Sequence, residues 1–406
     1  MSNSSNKVAK QIVKSLPSSL PGLPTTTCTK ARCATSVRSL SSAPSRHRPQ
    51  VVLTCFRKIP QTRLYYDYAI HRPQQSSTNP FIAPSSYHKQ LPLFDFFANT
   101  KPKPSYLFSA GASGFAKRRG LSQPSQQHHY DPFEQAYQSV QVGEDAYFIR
   151  SDALGVADGV GGWTGTLGAN PALYSRKLMH HAYVELERFD NVDDDLFAQY
   201  DDADPVDVLQ KSYELSLMEA HREGVIGSST ACVALLRNDE LRVANLGDCG
   251  ISVIRQNSYI FRNEEQQHAF NFPYQLGTNS PDKPKDAQTF DIKVEKGDII
   301  VLGTDGLFDN LFDKEILSIV KAHVNAYTIP GSGQRPPRLL NFNPQKLSDA
   351  LAARARAVSE DRRNMDSPFQ TQAINEGYFH QGGKSDDISV VVAIVNDSED
   401  SPDRRL

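Results

Sequence analysis

Apolar residues in this chain fall in short, dense runs rich in β-branched side chains. Ala146–Ile149, Leu154–Ala157, Thr230–Leu236, Leu241–Leu246, Ile251–Ile254, Ile299–Leu302 and Ile388–Val395 have strand length and strand composition. Asn238-Asp239 separates two of these runs and predicts a hairpin turn. Four other stretches have the start and stop signals of helices. Asn170-Pro171 offers an N-cap followed by proline at the first helical position, predicting a helix to about Phe189. Asp204-Pro205 repeats that signal, and Gly224 supplies the stop. Lys314 to Ala326 and Asn343 to Ser359 complete the set.

Strands are grouped with strands and helices with helices. This order predicts an α+β fold with mainly antiparallel sheets and argues against a doubly wound parallel one. Four segments fit neither period. Asp190 to Asp204 is acidic but lacks the glycine and terminal glutamate of an EF-hand loop, so a solvated connection is expected. Arg262 to Gly277 is rich in glutamine and aromatics without a clear pattern. Ile329 to Asn343 reads as a Pro/Gly-rich inserted loop, and Arg362 to Lys384 as a mobile flap.

Composition narrows the function classes. The chain has 406 residues, 39% hydrophobic and 22% charged, with a net charge of -2. Nothing global points to nucleic acid or a membrane surface as partner, and no apolar run is long enough to span a bilayer. The five cysteines, Cys28, Cys33, Cys55, Cys232 and Cys249, are odd in number and form no C-x-x-C pair. That excludes a disulfide framework and a structural zinc site, and fits a reducing compartment. Residues 1–66 contain no Asp or Glu, yet are rich in Ser, Lys and Arg. Acid-poor, basic, Ser-rich composition predicts a mitochondrial transit segment, with Lys7 to Leu16 able to form a short basic amphipathic stretch. A Pro/Ser-rich linker is expected over 67–105, a folded domain over 106–396 and a flexible tail over 397–406.

The candidate chemistry lies at the ends of the apolar runs. Leu154–Ala157 leads into Asp158-Gly159, Val243–Gly247 into Asp248, and Ile299–Thr304 into Asp305-Gly306. Asp386-Asp387 precedes Ile388–Val392, and Glu144-Asp145 precedes Ala146–Ile149. A carboxylate at the mouth of a buried sheet is costly unless it is neutralised. Few Lys or Arg lie near these acids in sequence, and no His or Cys set competes. Such oxygen donors suit Mg²⁺ or Mn²⁺. Several together can hold two ions about 3.5–4 Å apart and acidify a bridging water for in-line attack on phosphorus. Each Asp-Gly alone is a common turn; their joint order is the stronger signal.

That order resembles the type 2C, or PPM-type, serine/threonine protein phosphatases. The resemblance rests on Gly143-Glu144-Asp145-Ala146, Asp158-Gly159-x-Gly161-Gly162, Gly227–Ala231, Ala244–Asp248, Thr304–Asp309 and Asp386–Ser389, and covers nearly all of 140–395. Glu264–His268 and Gly155–Trp163 are similar to the mitochondrial subgroup. The resemblance implies a four-layer α-β-β-α sandwich, with two antiparallel sheets flanked by helices and metals in a cleft at one edge. It implies that Asp158 bridges two Mg²⁺ or Mn²⁺ ions. Glu144 and the carbonyl of Gly159 would hold one, and Asp305 and Asp386 the other. Asp145 would orient bound water, and Asp248, Asp305 and Asp309 would form a weaker third site. Asp158, Asp305 and Asp145 are thereby the catalytic candidates. Asp387 stands where many relatives have Asn. Two family helpers are missing: Val160 replaces the usual His after Asp-Gly, and Val140 replaces a phosphate-binding Arg. Arg150 and Lys384 are the substitutes by proximity.

The expected protein is thus a monomeric matrix phosphatase acting on phosphoserine and phosphothreonine of mitochondrial proteins, metabolic enzymes among them. A pseudophosphatase that only binds is the alternative; it would be signalled by lost metal acids, and all are retained. An aspartyl-nucleophile phosphatase would need D-x-D-x-[TV], which is absent. His180, His181 and the two domain cysteines Cys232 and Cys249 read as packing residues. Trp163 reads as an anchor beside the glycine turn.

Overall fold

In the computed structural model, residues 105–117, 137–163, 165–331, 338–339 and 342–398 are described. The transit segment, nearly all of the linker and most of the tail lie outside them. Eleven strands form two antiparallel sheets. The first sheet runs in the order Gln288–Lys293, Glu240–Leu246, Ala231–Arg237, Ala153–Asp158, Asp145–Ile149, Val140–Val142. The second runs Tyr106–Phe115, Ile388–Asp397, Ile299–Gly303, Gly250–Arg255, Ser258–Arg262.

Side-chain alternation explains why these strands read as unbroken apolar runs. Both faces of each central strand are buried. In Ala231–Arg237, Ala231, Val233 and Leu235 point to one core while Cys232, Ala234 and Leu236 point to another. In the last strand, Val390, Val392 and Ile394 face one core and Val391, Ala393 and Val395 the other. The shared core lies between the sheets, where Leu154, Val156 and Val243 meet Ile251, Ile300 and Val391. Helices cover the two outer faces: Pro171–Asp190 and Pro205–Glu223 on the first sheet, Asp313–Val324 and Pro344–Glu360 on the second. This is the expected four-layer sandwich.

The helix signals act as read. Asn170 Oδ1 accepts from Leu173 N–H, Asp204 caps Val206, and Gly224 closes its helix at φ 66°. Asn238, at φ 57°, turns the predicted hairpin. Other elements escape the hydrophobic pattern. The middle of the edge strand Tyr106–Phe115, Ser109–Gly114, is built from Ser, Ala and Gly because helix Pro344–Glu360 lies directly against the strand. A Cβ on Gly111 would stand 2.6 Å from the Gln345 backbone. Edge strands Ser258–Arg262 and Gln288–Lys293 were also not foreseen; they alternate exposed and half-buried positions.

The expected flap over Arg362–Lys384 is corrected. It contains helix Pro368–Asn375, capped by Ser367 Oγ accepting from Gln370 N–H. Its far end is tied down by Asn310: Lys384 N–H donates to Asn310 Oδ1, and Asn310 Nδ2 donates to the Lys384 carbonyl, both at 3.0 Å. No helix among the described residues is long and apolar enough to cross a membrane.

Candidate active site

The acids at the strand ends converge from both sheets on one cleft of about 560 Å³. Glu144, Asp158, Gly159, Asp248, Asp305 and Asp386 line it, together with Lys117 and Lys384. Glu144 and Asp158 come from the first sheet, where Asp145 and Asp158 stand opposite each other in register. Asp305 and Asp386 come from the second, flanking the adjacent strands Ile299–Gly303 and Ile388–Asp397. The cleft therefore opens where interior strands of the two sheets present neighbouring ends.

Local hydrogen bonds explain why the small and hydroxyl residues accompany the acids. Asp158 N–H donates to Thr230 Oγ1, while Ser229 Oγ donates to the Asp158 carbonyl. Gly159 N–H donates to the Glu144 carbonyl. Asp387 faces away from the cleft. It accepts from the backbone amides of Lys117 at 2.7 Å and Glu144 at 2.9 Å, and so fixes both residues at the rim. Gly143, at φ 66°, makes this close approach possible, since a Cβ there would lie 2.0 Å from the Asp387 carboxylate. Asp145 lies behind the cleft, fully buried, accepting from Thr304 Oγ1 at 2.8 Å.

The electrostatics are those of crowded carboxylates. Burial first, then mutual repulsion, push Asp145, Asp158 and Asp248 well above the usual carboxylate range. Asp309 is pushed up to about 7 by burial against the pull of Lys384. Burial also acts on Asp305, but the Lys384 ammonium outweighs it and holds Asp305 low. Lys384 Nζ bonds Asp305 directly, Asp309 at 2.6 Å, and approaches Asp386 at 3.5 Å. Lys117 Nζ sits 3.1 Å from Asp386. Asp145, Asp248 and Asp305 each keep one buried carboxylate oxygen without a donor.

No three His, Cys, Asp or Glu side chains among the described residues stand as a ready-made metal cage. Lys384 draws the carboxylates to itself instead. The donor chemistry nonetheless fits a hard divalent cation. The set is all oxygen, its buried lone pairs lack donors, and its repulsion is only partly offset by two ammonium groups.

Reading the sequence missed Lys117, which follows a strand with no apolar signature. It also missed Glu265 as part of this field: burial raises its pKa, and Asp305 and Lys384 act on it electrostatically. Glu265 lies in the glutamine-rich segment, where its signal was the subgroup-like stretch Glu264–His268. Arg150 is not at the cleft; its guanidinium pairs with Asp152 and Asp190. The acidic stretch Asp190–Asp204 contributes nothing to the cleft lining. Trp163 Nε1 donates to Ser228 Oγ at 2.7 Å, anchoring the glycine turn.

The chain is similar to known phosphatases. The sequence model of the Stage II sporulation protein E (SpoIIE) family matches residues 195–396. The "Protein phosphatase PTC7 homolog" of Danio rerio is 36% identical over 275 residues, covering 64% of this chain and 83% of the relative. The chain belongs to the PPM-type, or type 2C, protein phosphatase family. "Probable protein phosphatase 2C 80" of Arabidopsis thaliana is 40% identical over 259 residues, covering 63% of this chain but 55% of that protein. Against such plant relatives the PPM-type chain spans about half of their length. The solved photosystem II phosphatase PBCP aligns with a TM-score of 0.53 at 30% identity, covering 71% of this chain and 99% of that one.

Proposed function

We propose that this PPM-type chain is a divalent-metal-dependent protein phosphatase that hydrolyses phosphoserine and phosphothreonine. The observation that carries the proposal is the convergence of buried, donor-poor carboxylates from both sheets on a cleft rimmed by lysines. Glu144, Asp158, the Gly159 carbonyl, Asp305 and Asp386 are the proposed core ligands of Mg²⁺ or Mn²⁺, with Asp248 and Asp309 as an outer set. Bound metals would polarise the phosphate and acidify a water for attack.

The rest falls to side chains. Lys117 and Lys384 stand where they can take the non-bridging phosphate oxygens, supplying the cations that Val140 does not. Lys384 doubles as internal counter-charge, which keeps the acids together before any ion arrives. Asp387 and Asn310 are positioning residues, because each fixes backbone beside a ligand or a lysine. Val160 has no proton to exchange and only narrows the cleft. Retention of all the acids favours an enzyme over a pseudophosphatase.

The test is phosphate release from a phosphothreonine peptide at millimolar Mn²⁺. Release should stop on chelation and return on metal re-addition, and Lys384→Met should raise KM about ten-fold for one lost charged hydrogen bond. Metal-independent release, or none, would contradict the proposal.

We further propose a mitochondrial site of action, with matrix metabolic enzymes as substrates. Support comes from the acid-free, basic leader of 1–66 and its independent agreement with the subgroup-like motifs. A fluorescent reporter fused to residues 1–66 should enter mitochondria; a cytosolic or other organellar signal would refute it.

A further inference from the structure

One wall of the cleft carries none of the charge described so far. It is formed by Trp163 and by the turn between the short strands Gln267–Ala269 and Phe272–Pro273. Asn271 turns the backbone there at φ 55°, sending Phe270 and Phe272 out of the hairpin tip. Phe272 is 52% exposed although it lines the cleft. With Trp163 in the same lining, it sets aromatic surface beside the polar site.

The polar atoms behind this wall are already engaged. Trp163 Nε1 donates to Ser228 Oγ, which donates to Gln275 Oε1 at 2.6 Å. Gln275 Nε2 donates to the Pro273 carbonyl, and Gln275 N–H to Asp282. His268 stacks on Tyr274 at 3.8 Å and bonds Asp282 at 3.0 Å. The wall is therefore pinned from behind and offers a ligand mainly apolar surface. On the other side of Asn271, Phe270 packs at a tilt on Phe369 at 5.2 Å and stacks on the exposed Tyr378 at 5.3 Å. Phe369 in turn lies 5.0 Å from Lys384 Nζ, so the aromatic surface abuts the phosphate-binding end of the cleft.

We propose that Trp163, Phe272 and Tyr378 form an apolar shelf that seats a bulky apolar side chain flanking the phosphorylated residue of the substrate protein. The inference rests on the phosphatase reading and names its substrate class. The occupant is set by continuity: Trp163 and Phe272 line the same cleft as Lys117, Lys384 and the acids, so a residue flanking a phosphate held there lies against them. A rigid aromatic face rewards burial of an apolar side chain and gives nothing to a charged one.

The experiment compares two peptides with the full chain, one carrying phosphothreonine between glycines and one carrying it beside phenylalanine. The wild type should favour the phenylalanine peptide about ten-fold in kcat/KM, mostly through KM. Phe272→Ser and Tyr378→Ser should each cut that preference, and the double variant should abolish it. Equal rates on both peptides in the wild type would overturn the shelf, as would a preference unchanged in all variants. So would concentration-dependent dimerisation that Phe272→Ser abolishes, since a second copy would then be the occupant. Release from neither peptide would instead sink the phosphatase reading itself.

Discussion

Asp305→Asn should lower phosphate release from a phosphothreonine peptide by at least about a thousand-fold, corresponding to about 4 kcal/mol of lost transition-state stabilisation. Asp305 opens the helical turn Asp305–Phe308 at the end of strand Ile299–Gly303. It faces Asp158 across the cleft and bonds Lys384. Asparagine keeps the shape, removes the charge and turns one acceptor oxygen into a donor, and the fold should survive, as a circular dichroism spectrum can verify. What disappears is an oxygen donor common to the proposed core and outer metal sets. Activity within ten-fold of wild type would mean that the carboxylates serve something other than the reaction.

A second large effect is expected at Asp387, which touches no substrate. Asp387→Ala removes the acceptors of the Lys117 and Glu144 amides, and Asp387 is buried. Leaving two half-buried N–H groups without acceptors costs up to about 2–5 kcal/mol in all, so the thermal midpoint should fall by several degrees. Metal affinity should fall with it, because Glu144 loses one of the hydrogen bonds that fix its backbone. Asp387→Asn restores one of the two acceptors and should recover part of both losses. An unchanged melting curve for the alanine variant, or no recovery with asparagine, would show that the amides find other partners.

The sandwich was legible because its central strands are buried on both faces, which concentrates Val, Ile, Leu and Ala into unmistakable runs such as Ile388–Val395. The capped helices were legible because Asn170-Pro171 and Asp204-Pro205 state their own boundaries. Strand Tyr106–Phe115 was hidden, since close helix packing selects Gly, Ala and Ser over the β-branched residues that mark strands. The acids were visible as a set because each stands at the end of an apolar run. Their partners were less so: Lys384 sits in a segment without periodicity, and Lys117 lies far from the acids in sequence. The counter-charge inside the acid cluster is a tertiary property, formed by residues up to 269 positions apart. Likewise Arg150 is near the motifs in sequence but is held away by Asp152 and Asp190.

Calorimetric titration of Mn²⁺ into the purified full chain asks most directly whether these acids form a metal centre. Two ions should be taken up by the wild type, and uptake should be strongly weakened in Asp305→Asn. No uptake by the wild type, or identical binding curves for the two proteins, would contradict the assignment of this cleft as a metal-dependent phosphatase site.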